Sequence, residues 1–510
     1  MTAWRNATCL SQDIKSLAWL LVALVAGIAI GWLPQTEALL VVAGVLFGGV
    51  ALVRPHLALY ALVFSVPYET IRQVELGGFA VSSTEVLVAL LLAAWLARVA
   101  AGWEQPRPTA LLIPVLILLW AYGLALLSAW DSILALKETF KWLEVAAVLV
   151  VAAPALTDRR RVLILLLCLF AAGWAQSALG AYQFWRREGP ASFAFGPYLR
   201  AHGTFGQPNA LGGYLGLILP LAVSTALLWW SLLTTWWHRN RSGRLVSCRA
   251  EWILALAGAV SVPILGAGLV MTYSRGAWLA FGAALVAVWS LRGRRALVLL
   301  LILALVGLLA LALGAIDLLP SFITERLGSI VESLALFDAR TVLVNDENFA
   351  AVQRMAFWQT ALAMWEAHPW VGVGPGNYPV AYGQYHVHPA FSEPLAGHPH
   401  NFYLQLLAEA GIIGLAAYLL LWVWAFVVAL RALRCLPSDA HFWRAVTIGA
   451  IGVFVAVLVH TLFDNLYVHG MNVYLGLMLG LIAASREVSH VHHPGVLSER
   501  EAGLHCKKLL

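Results

Sequence analysis

The chain has 510 residues, of which 61% are hydrophobic and 11% are charged, and its mean hydropathy is +0.81. This composition excludes a soluble globular domain and predicts a polytopic membrane protein. The net charge of +6 forms no contiguous basic face, so membrane lipids and no nucleic acid are the expected surroundings. The five cysteines are scattered, and their positions predict neither a disulfide framework nor a zinc site.

Apolar runs of membrane-spanning length follow one another along the chain and predict an all-α polytopic fold. Because residues 1–16 are only weakly cationic, the first run is interpreted as a retained helix and not as a signal peptide. Hydropathy indicates about fourteen spans, the third of them short, near residues 17–33, 37–53, 56–68, 84–101, 110–128, 134–154, 162–182, 209–237, 252–272, 275–290, 296–314, 403–430, 443–463 and 467–484.

The charge of the loops predicts the orientation of these spans. With a cytoplasmic N-terminus, about two thirds of the Lys and Arg residues fall on the inner side. Both termini are therefore expected in the cytoplasm, and the segment between the eleventh and twelfth spans is expected outside. This divides the chain into N-terminal transmembrane helices (1–314), a large external loop (315–402), C-terminal transmembrane helices (403–485) and a cytoplasmic tail (486–510).

Several polar residues near outer helix ends are candidates for contact with an anionic substrate. Lys137 and Lys141 lie one helical turn apart, although neighbouring glutamates could pair with them instead. Arg200 belongs to a basic external segment, and Asn209 begins a helix in GQPNALGGYL. The glycines of that helix also permit close helix packing, which is an equal explanation for the motif.

Arg275 lies in LVMTYSRGAWLAF, where one apolar run ends and the next begins. An arginine bordered by so much apolar sequence is costly to bury and is therefore a functional candidate. The alternative is an arginine whose charged end simply reaches the membrane interface.

The long external segment carries helical patterning of its own over 349–366, followed by a glycine-proline turn at 372–376. Apolar residues recur in it at helical spacing, so we expect it to fold against the membrane face and to direct Arg354 toward a substrate there. A solvated helix-end charge is the alternative, and Arg326 and Arg340 compete for the same role.

Polar chemistry is densest in GHPHNFYLQLLAEAGIIG, residues 397–414. Asn401 is expected to cap a helix that continues unbroken for about 29 residues. His400 then lies at the external membrane face, where an unperturbed pKa near 6.5 lets it act as a base. A structural histidine is one alternative, and a metal cluster formed with His386, His388 and His398 is another.

The spacing His400-Asn401, nine residues, Gly411-x-x-Gly414 resembles the signature of the O-antigen ligase and polymerase superfamily of bacterial glycosyltransferases. Three further stretches resemble the same superfamily in the same order, at 203–215, 273–281 and 353–378. The resemblance implies a GT-C-like fold with 12 to 14 spans, in the bacterial cytoplasmic (inner) membrane. It also implies transfer on the periplasmic side from an undecaprenyl-diphosphate-linked glycan, without a cofactor.

The resemblance also implies roles for the candidate residues. His400 would be the base, and Arg275 and Arg354 would stabilise the diphosphate, so these three are the expected catalytic residues. The expected substrate-binding residues are Arg200, Asn209, Lys137, Lys141, His398 and Asn401. Because the external loops contain no Asp-x-Asp sequence, we expect a metal-independent, inverting transfer.

The sequence leaves the acceptor open. Lipid A core as acceptor would make the protein an O-antigen ligase, which we favour, and another lipid-linked glycan would make it a polymerase. A protein hydroxyl would make it an oligosaccharyltransferase. A solute carrier, such as a bicarbonate transporter, is the alternative of another class, although the sequence shows no paired broken helices.

Overall fold

The computed structural model describes residues 24, 27, 28, 35–69, 73–76, 79–107, 109–233, 249–312, 336–345, 348–393 and 397–491, and the architecture is that of these residues. The predicted first span, Arg326 and the end of the predicted tail lie wholly or almost wholly outside them. The described helices are α1 Gln35–Val53, α2 Pro55–Ser65, α3 Ser83–Ala100, α4 Leu112–Ala125, α5 Ser132–Ala155, α6 Arg159–Arg186, α7 Pro208–Ala226, α8 Arg249–Met271, α9 Arg275–Arg292, α10 Arg294–Ala312, α11 Phe349–Ala367, α12 Tyr378–Tyr385, α13 Phe402–Cys435, α14 His441–His460 and α15 Met471–Val491.

A helix stands at each predicted span from the second onward. In the described part of the chain, 6 helices are long and apolar enough to cross a membrane. They are Ser83–Ala100, Arg159–Arg186, Pro208–Leu233, Arg249–Met271, Phe402–Cys435 and His441–His460. The chain is therefore a largely helical, multi-pass membrane protein.

Two short antiparallel hairpins correct the purely α-helical expectation. In the first, β1 (Gln73–Leu76) pairs with β2 (Phe79–Ser82). In the second, β3 (Ala194–Phe195) pairs with β4 (Tyr198–Leu199). Both lie between long helices and are far shorter than the windows that detect membrane spans, so hydropathy averaging conceals them.

Helix α7 lies at the centre of the molecule, because it packs against α8, α9 and α14 at once. The glycines near its start allow this. A Cβ added at Gly212 would lie 2.9 Å from the Cβ of Ala277, and one at Gly213 would overlap Leu466. The prediction of close packing is confirmed for these two glycines and places the N-terminus of α7 against the segment that follows α14.

The predicted continuous helix after Asn401 is wrong in one respect, because α13 is interrupted. Gly411 has φ 63° and ψ −165°, and residues 369–374 insert beside it; they belong to the predicted external loop, which is called the external segment below. The N–H groups of Val373 and Gly374 donate to the carbonyls of Ala408 and Glu409 at 2.9 Å, and the N–H of Ile412 donates to the carbonyl of Pro369 at 2.9 Å. The inserted segment therefore replaces helical hydrogen bonds that the interruption removes.

The external segment has its own hydrophobic core, which is continuous with α13. Helix α11 matches the predicted patterning, and its buried Met355 and Phe357 cluster with Tyr378 and Tyr382 of α12. Ala408 of α13 belongs to the same cluster. This packing positions α11 beside the start of α13, where the predicted site residues lie.

Candidate functional site

His400 is the last residue before the cap of α13, and its backbone has φ 54°. A positive φ is uncommon for a residue with a side chain and costs free energy. The amide N–H of His400 donates to Nδ1 of His398 at 3.2 Å. Asn401 then caps the helix as predicted, since its side-chain oxygen accepts from the N–H groups of Tyr403 and Leu404. The turn at His400 thus leads directly into a helix whose first turn is fixed by the Asn401 cap.

Asp464 is the partner of His400. It follows the end of α14, and its Oδ1 lies 3.1 Å from Nδ1 of His400. An ionised carboxylate can only accept, so the proton of the neutral imidazole lies on Nδ1 and the lone pair lies on Nε2. The pair therefore holds His400 in the tautomer that a general base requires.

Further donors surround the Asp464 carboxylate, which is 8% exposed. The N–H of Asn465 donates to Oδ1 at 2.9 Å, and Nδ2 of Asn209 donates to Oδ2 at 2.8 Å. Burial alone raises the pKa of Asp464, but the hydrogen bond from His400 and the charges of nearby histidines outweigh burial and hold the pKa well below its usual range. Asp464 is thus an anion at neutral pH.

His398 completes a compact cluster with these two residues. Its ring centroid lies 4.6 Å from that of His400, and its Nε2 lies 3.7 Å from Oδ1 of Asp464. Burial lowers the pKa of His398 to about 4, although Asp464 opposes the shift. His398 is therefore neutral at physiological pH, and its Nδ1 is available to accept the His400 amide proton.

The ligand atoms of His398, His400 and Asp464 lie within 4.8 Å of one another, close enough to hold a metal ion. The hydrogen bonds argue for another use of this cluster. Nδ1 of His398 accepts a proton, so its Nε2 carries one, whereas a ligating imidazole presents a lone pair to the metal and donates from its other nitrogen. The four-histidine cluster, kept above as an alternative, is not assembled among the described residues: His386 bonds to the carbonyl of Gly383 and His388 to that of Val342.

Arg354 reaches the same place from α11. Phe357, one helical turn further on, stacks on the ring of His400 with a centroid distance of 6.5 Å and an interplanar angle of 16°. Burial lowers the pKa of Arg354, while Asp464 acts on it in the opposite sense. The helix therefore contacts the imidazole through Phe357, and the Arg354 guanidinium lies within the electrostatic reach of Asp464.

Arg275 begins α9, close to the turn that carries Asp464. A Cβ added at Gly276 would lie 2.7 Å from the Cβ of Phe463, the residue before Asp464. The start of α9 therefore packs against this turn. The structure thus brings the start of α9, the start of α11 and the start of α13 together around Asp464, with one predicted catalytic residue from each region.

The remaining predicted residues fall into two groups. Arg200 and Asn209 join the cluster, since Nη2 of Arg200 donates to Oδ1 of Asn209 at 3.0 Å. Lys141 pairs with Glu138, with 2.5 Å between Nζ and Oε1, and its charge also acts on His398. Its Nζ also donates to the carbonyl of Tyr467, so pairing with a neighbouring glutamate, the alternative left open above, is observed for Lys141. Lys137 occupies the preceding turn of α5.

Asp464 is the residue that sequence reasoning missed. In the sequence it ends an apolar run and precedes an asparagine, a pattern equally typical of an ordinary turn. The residue type and the predicted position together could have indicated its role. A carboxylate at the predicted outer end of a span, on the same side as His400, is a suitable partner for an imidazole base.

Part of the chain is similar to a known protein family. Residues 259–419 match a family model described as O-Antigen ligase, and this confirms the resemblance to the O-antigen ligase and polymerase superfamily. The matched stretch contains Arg275, Arg354, His398, His400 and Asn401, while Asp464 and Asn209 lie outside it. No curated protein matches the chain.

Proposed function

Starting from the O-antigen ligase domain at residues 259–419, we propose that this membrane protein transfers a glycan from undecaprenyl diphosphate to an acceptor hydroxyl. The reaction takes place on the periplasmic face of a bacterial inner membrane. The observation that carries the proposal is the hydrogen bond from His400 to Asp464, 3.1 Å long, because it leaves Nε2 of His400 as the one basic nitrogen of that ring.

His400 acts as the general base. Its Nε2 takes the proton from the acceptor hydroxyl while the acceptor oxygen forms a bond to the anomeric carbon of the donor sugar. The bond between that carbon and the diphosphate oxygen breaks, and undecaprenyl diphosphate leaves with the electron pair. Asp464 stabilises the imidazolium that results, as carboxylates beside catalytic histidines do.

The two arginines act on the leaving group. Negative charge grows on the diphosphate as the glycosidic bond breaks, and fixed guanidinium groups stabilise such charge through paired hydrogen bonds. Arg275 and Arg354 come from different helices that converge on the Asp464 turn. Each can therefore approach the diphosphate from a different side.

The transfer proceeds by direct displacement, with inversion at the anomeric carbon and without a metal ion. The arginines supply the charge stabilisation that a metal gives in nucleotide-sugar enzymes, whose Asp-x-Asp sequence the external loops of this chain lack. The proton on Nε2 of His398, argued above from its bond to the His400 amide, supports the same view.

Lipid A core is the acceptor we favour, which makes the activity that of an O-antigen ligase. A lipid-linked glycan acceptor would indicate a polymerase, and a protein hydroxyl would indicate an oligosaccharyltransferase.

The test is release of undecaprenyl diphosphate by the purified protein in chelator, with a lipid-linked glycan donor and each acceptor in turn. We expect acceptor-dependent release by the wild type, and loss of release in His400→Ala and Arg275→Ala. His386→Ala, at an exposed histidine of the external segment, and Arg340→Ala are the matched controls and should keep their activity.

An active His400→Ala enzyme would overturn the assignment of the base. No release with any acceptor, together with solute uptake into proteoliposomes, would replace glycosyl transfer by the transporter alternative.

A further inference from the structure

We propose that Arg200 and Asn209 are positioning residues, which orient the Asp464 carboxylate and through it the imidazole of His400. This inference deepens the proposed function and rests on it. It also differs from the substrate-binding role expected above for Arg200 and Asn209, because here they act through another protein side chain.

Hydrogen bonds of ordinary length link Arg200 to His400 through Asn209 and Asp464 without a gap. Nη2 of Arg200 donates to Oδ1 of Asn209 at 3.0 Å, and Nδ2 of Asn209 donates to Oδ2 of Asp464 at 2.8 Å. The other carboxylate oxygen of Asp464 faces His400 at 3.1 Å. Asn209 and His400 therefore hold the two oxygens of one carboxylate, which fixes the plane of that carboxylate.

The direction of each bond follows from the chemistry of Arg200. A guanidinium has donors and no acceptor, so only the carbonyl end of the Asn209 amide can face it. The NH₂ end must then point at Asp464. Without Arg200 the amide could turn over and present its oxygen to the carboxylate, which would repel it. Arg200 thus selects the one amide orientation that supports Asp464.

Arg200 itself is held from a second side. Its Nε donates to the backbone carbonyl of Thr272 at 3.0 Å, in the short connection between α8 and α9. Asn209 lies in the first turn of α7, whose Gly212 packs against Ala277 of α9. These hydrogen bonds therefore link the connection that precedes Arg275 to the turn that carries Asp464. The two regions are thus held in a fixed position relative to each other.

The role can be measured because the charge on Asp464 affects the protonation of His400. In the described part of the chain, His398 beside His400, Arg354 on α11 and His460 at the end of α14 are among the groups that act on this pair. Removing the Asn209 amide takes one donor away from the carboxylate and frees its plane to turn relative to the imidazole. Either change alters the field of Asp464 at His400, so the pH dependence of His400 modification should differ from that of wild type.

The experiment compares wild type with Asn209→Ala, Arg200→Met and Arg200→Lys, with Arg187→Met as a control that removes an exposed arginine from the same external region. Two readouts are taken. One is kcat and KM for the donor as a function of pH. The other is the pH dependence of diethylpyrocarbonate modification of the peptide containing His400, followed by mass spectrometry, which needs no activity.

For Asn209→Ala and Arg200→Met we expect kcat to fall about tenfold, with KM for the donor unchanged and the modification midpoint displaced from that of wild type. Arg200→Lys, which still donates to Asn209, should recover most of kcat. It also serves as the second variant if Arg200→Met does not fold. Arg187→Met should match wild type in both readouts.

A raised KM with an unchanged midpoint would show that these side chains contact the donor, and would overturn the inference. Wild-type levels of kcat and an unchanged midpoint in Asn209→Ala would overturn it as well. If the wild type itself shows no transfer, the proposed function fails, while the modification midpoints still decide whether Arg200 and Asn209 act on His400.

Discussion

At the scale of single residues, the site depends on one strained backbone position and one buried carboxylate. His400 has φ 54° and directly precedes the cap of the helix that Asn401 starts. Asp464 then fixes the ring. Such strain persists where surrounding contacts determine it, and here the His398 acceptor, the Asn401 cap and the Asp464 bond supply those contacts.

Asp464→Asn should lower kcat by about 10² to 10⁴, because an amide can donate to Nδ1 and stabilise the wrong tautomer of His400. KM for the donor should change little. The measurement is steady-state release of undecaprenyl diphosphate. Asp439→Asn, an exposed carboxylate in the connection between α13 and α14, is the matched control, and equal losses in both variants would contradict a specific role for Asp464.

His398 makes stability depend on pH. Its pKa is lowered to about 4 in the folded protein, against about 6.5 in the unfolded chain. Between pH values of about 4 and 6.5, His398 is protonated in the unfolded chain but neutral in the folded protein. Its contribution to the free energy of unfolding therefore falls as the pH falls from about 6.5 to about 4, and it is constant above that window. The full effect is about 3 kcal/mol.

Thermal unfolding in detergent between pH 7.5 and pH 4.5 measures this effect. His398→Gln should lose less stability on acidification than wild type, while His386→Gln, at an exposed histidine, should behave as wild type. Parallel pH curves for wild type and His398→Gln would show that His398 is not the group responsible. Asp464, whose pKa is depressed, supports folding above about pH 4 and loses this contribution only below that value.

The residues nearest His400 in sequence were predictable, and its main partner was not. Asn401 is predictable as a helix cap because it stands directly before a long apolar run. Asp464 lies beyond the next membrane-length helix, in the turn after α14. Its contact with His400 depends on how α13 and α14 pack, which no local pattern encodes.

At the scale of elements, the interruption of α13 joins the external segment to the membrane helices. A Cβ at Gly411 would overlap the backbone of Trp370, and one at Gly372 would overlap the backbone of Glu409. Both glycines also have a positive φ. Hydropathy gave a continuous helix because the residues around Gly411 are apolar, and the interrupting partner, 369–374, lies well upstream in the sequence.

Gly411→Ala should therefore destabilise the protein by more than the ~1–3 kcal/mol that this glycine-only backbone conformation costs by itself, because the added methyl also displaces the inserted segment. The midpoint of thermal unfolding in detergent is the measurement. Gly383→Ala, in a helix where a Cβ meets nothing within 4 Å, is the control. A Gly411→Ala protein as stable as wild type would refute the close approach.

At the scale of the whole molecule, the helical organisation follows from composition, and the site follows from packing. The sequence located nearly every helix, since each apolar run is long. It did not reveal that the start of α7, the turn after α14 and helix α11 meet around His400, because these come from regions separated by whole spans. The short hairpins also escaped detection.

The orientation of the molecule remains a prediction, and cysteine labelling tests it. In a cysteine-free background, His386→Cys should react with a membrane-impermeant maleimide in intact spheroplasts, because the external segment faces outward. Ser438→Cys, between α13 and α14, should react only after lysis. Both positions are exposed. The reverse pattern would place the site on the cytoplasmic side and exclude a periplasmic reaction.

The backbone bonds between 369–374 and the interrupted helix bear on how substrates arrive. If this segment lifted away like a lid, several peptide groups of α13 would lose their partners, at a cost of several kcal/mol each in an apolar surrounding. The segment is thus expected to stay in place beside α13 during the proposed transfer. On the proposed function, we therefore expect a donor anchored by a long lipid tail to enter sideways from the bilayer, between helices, without any movement of residues 369–374.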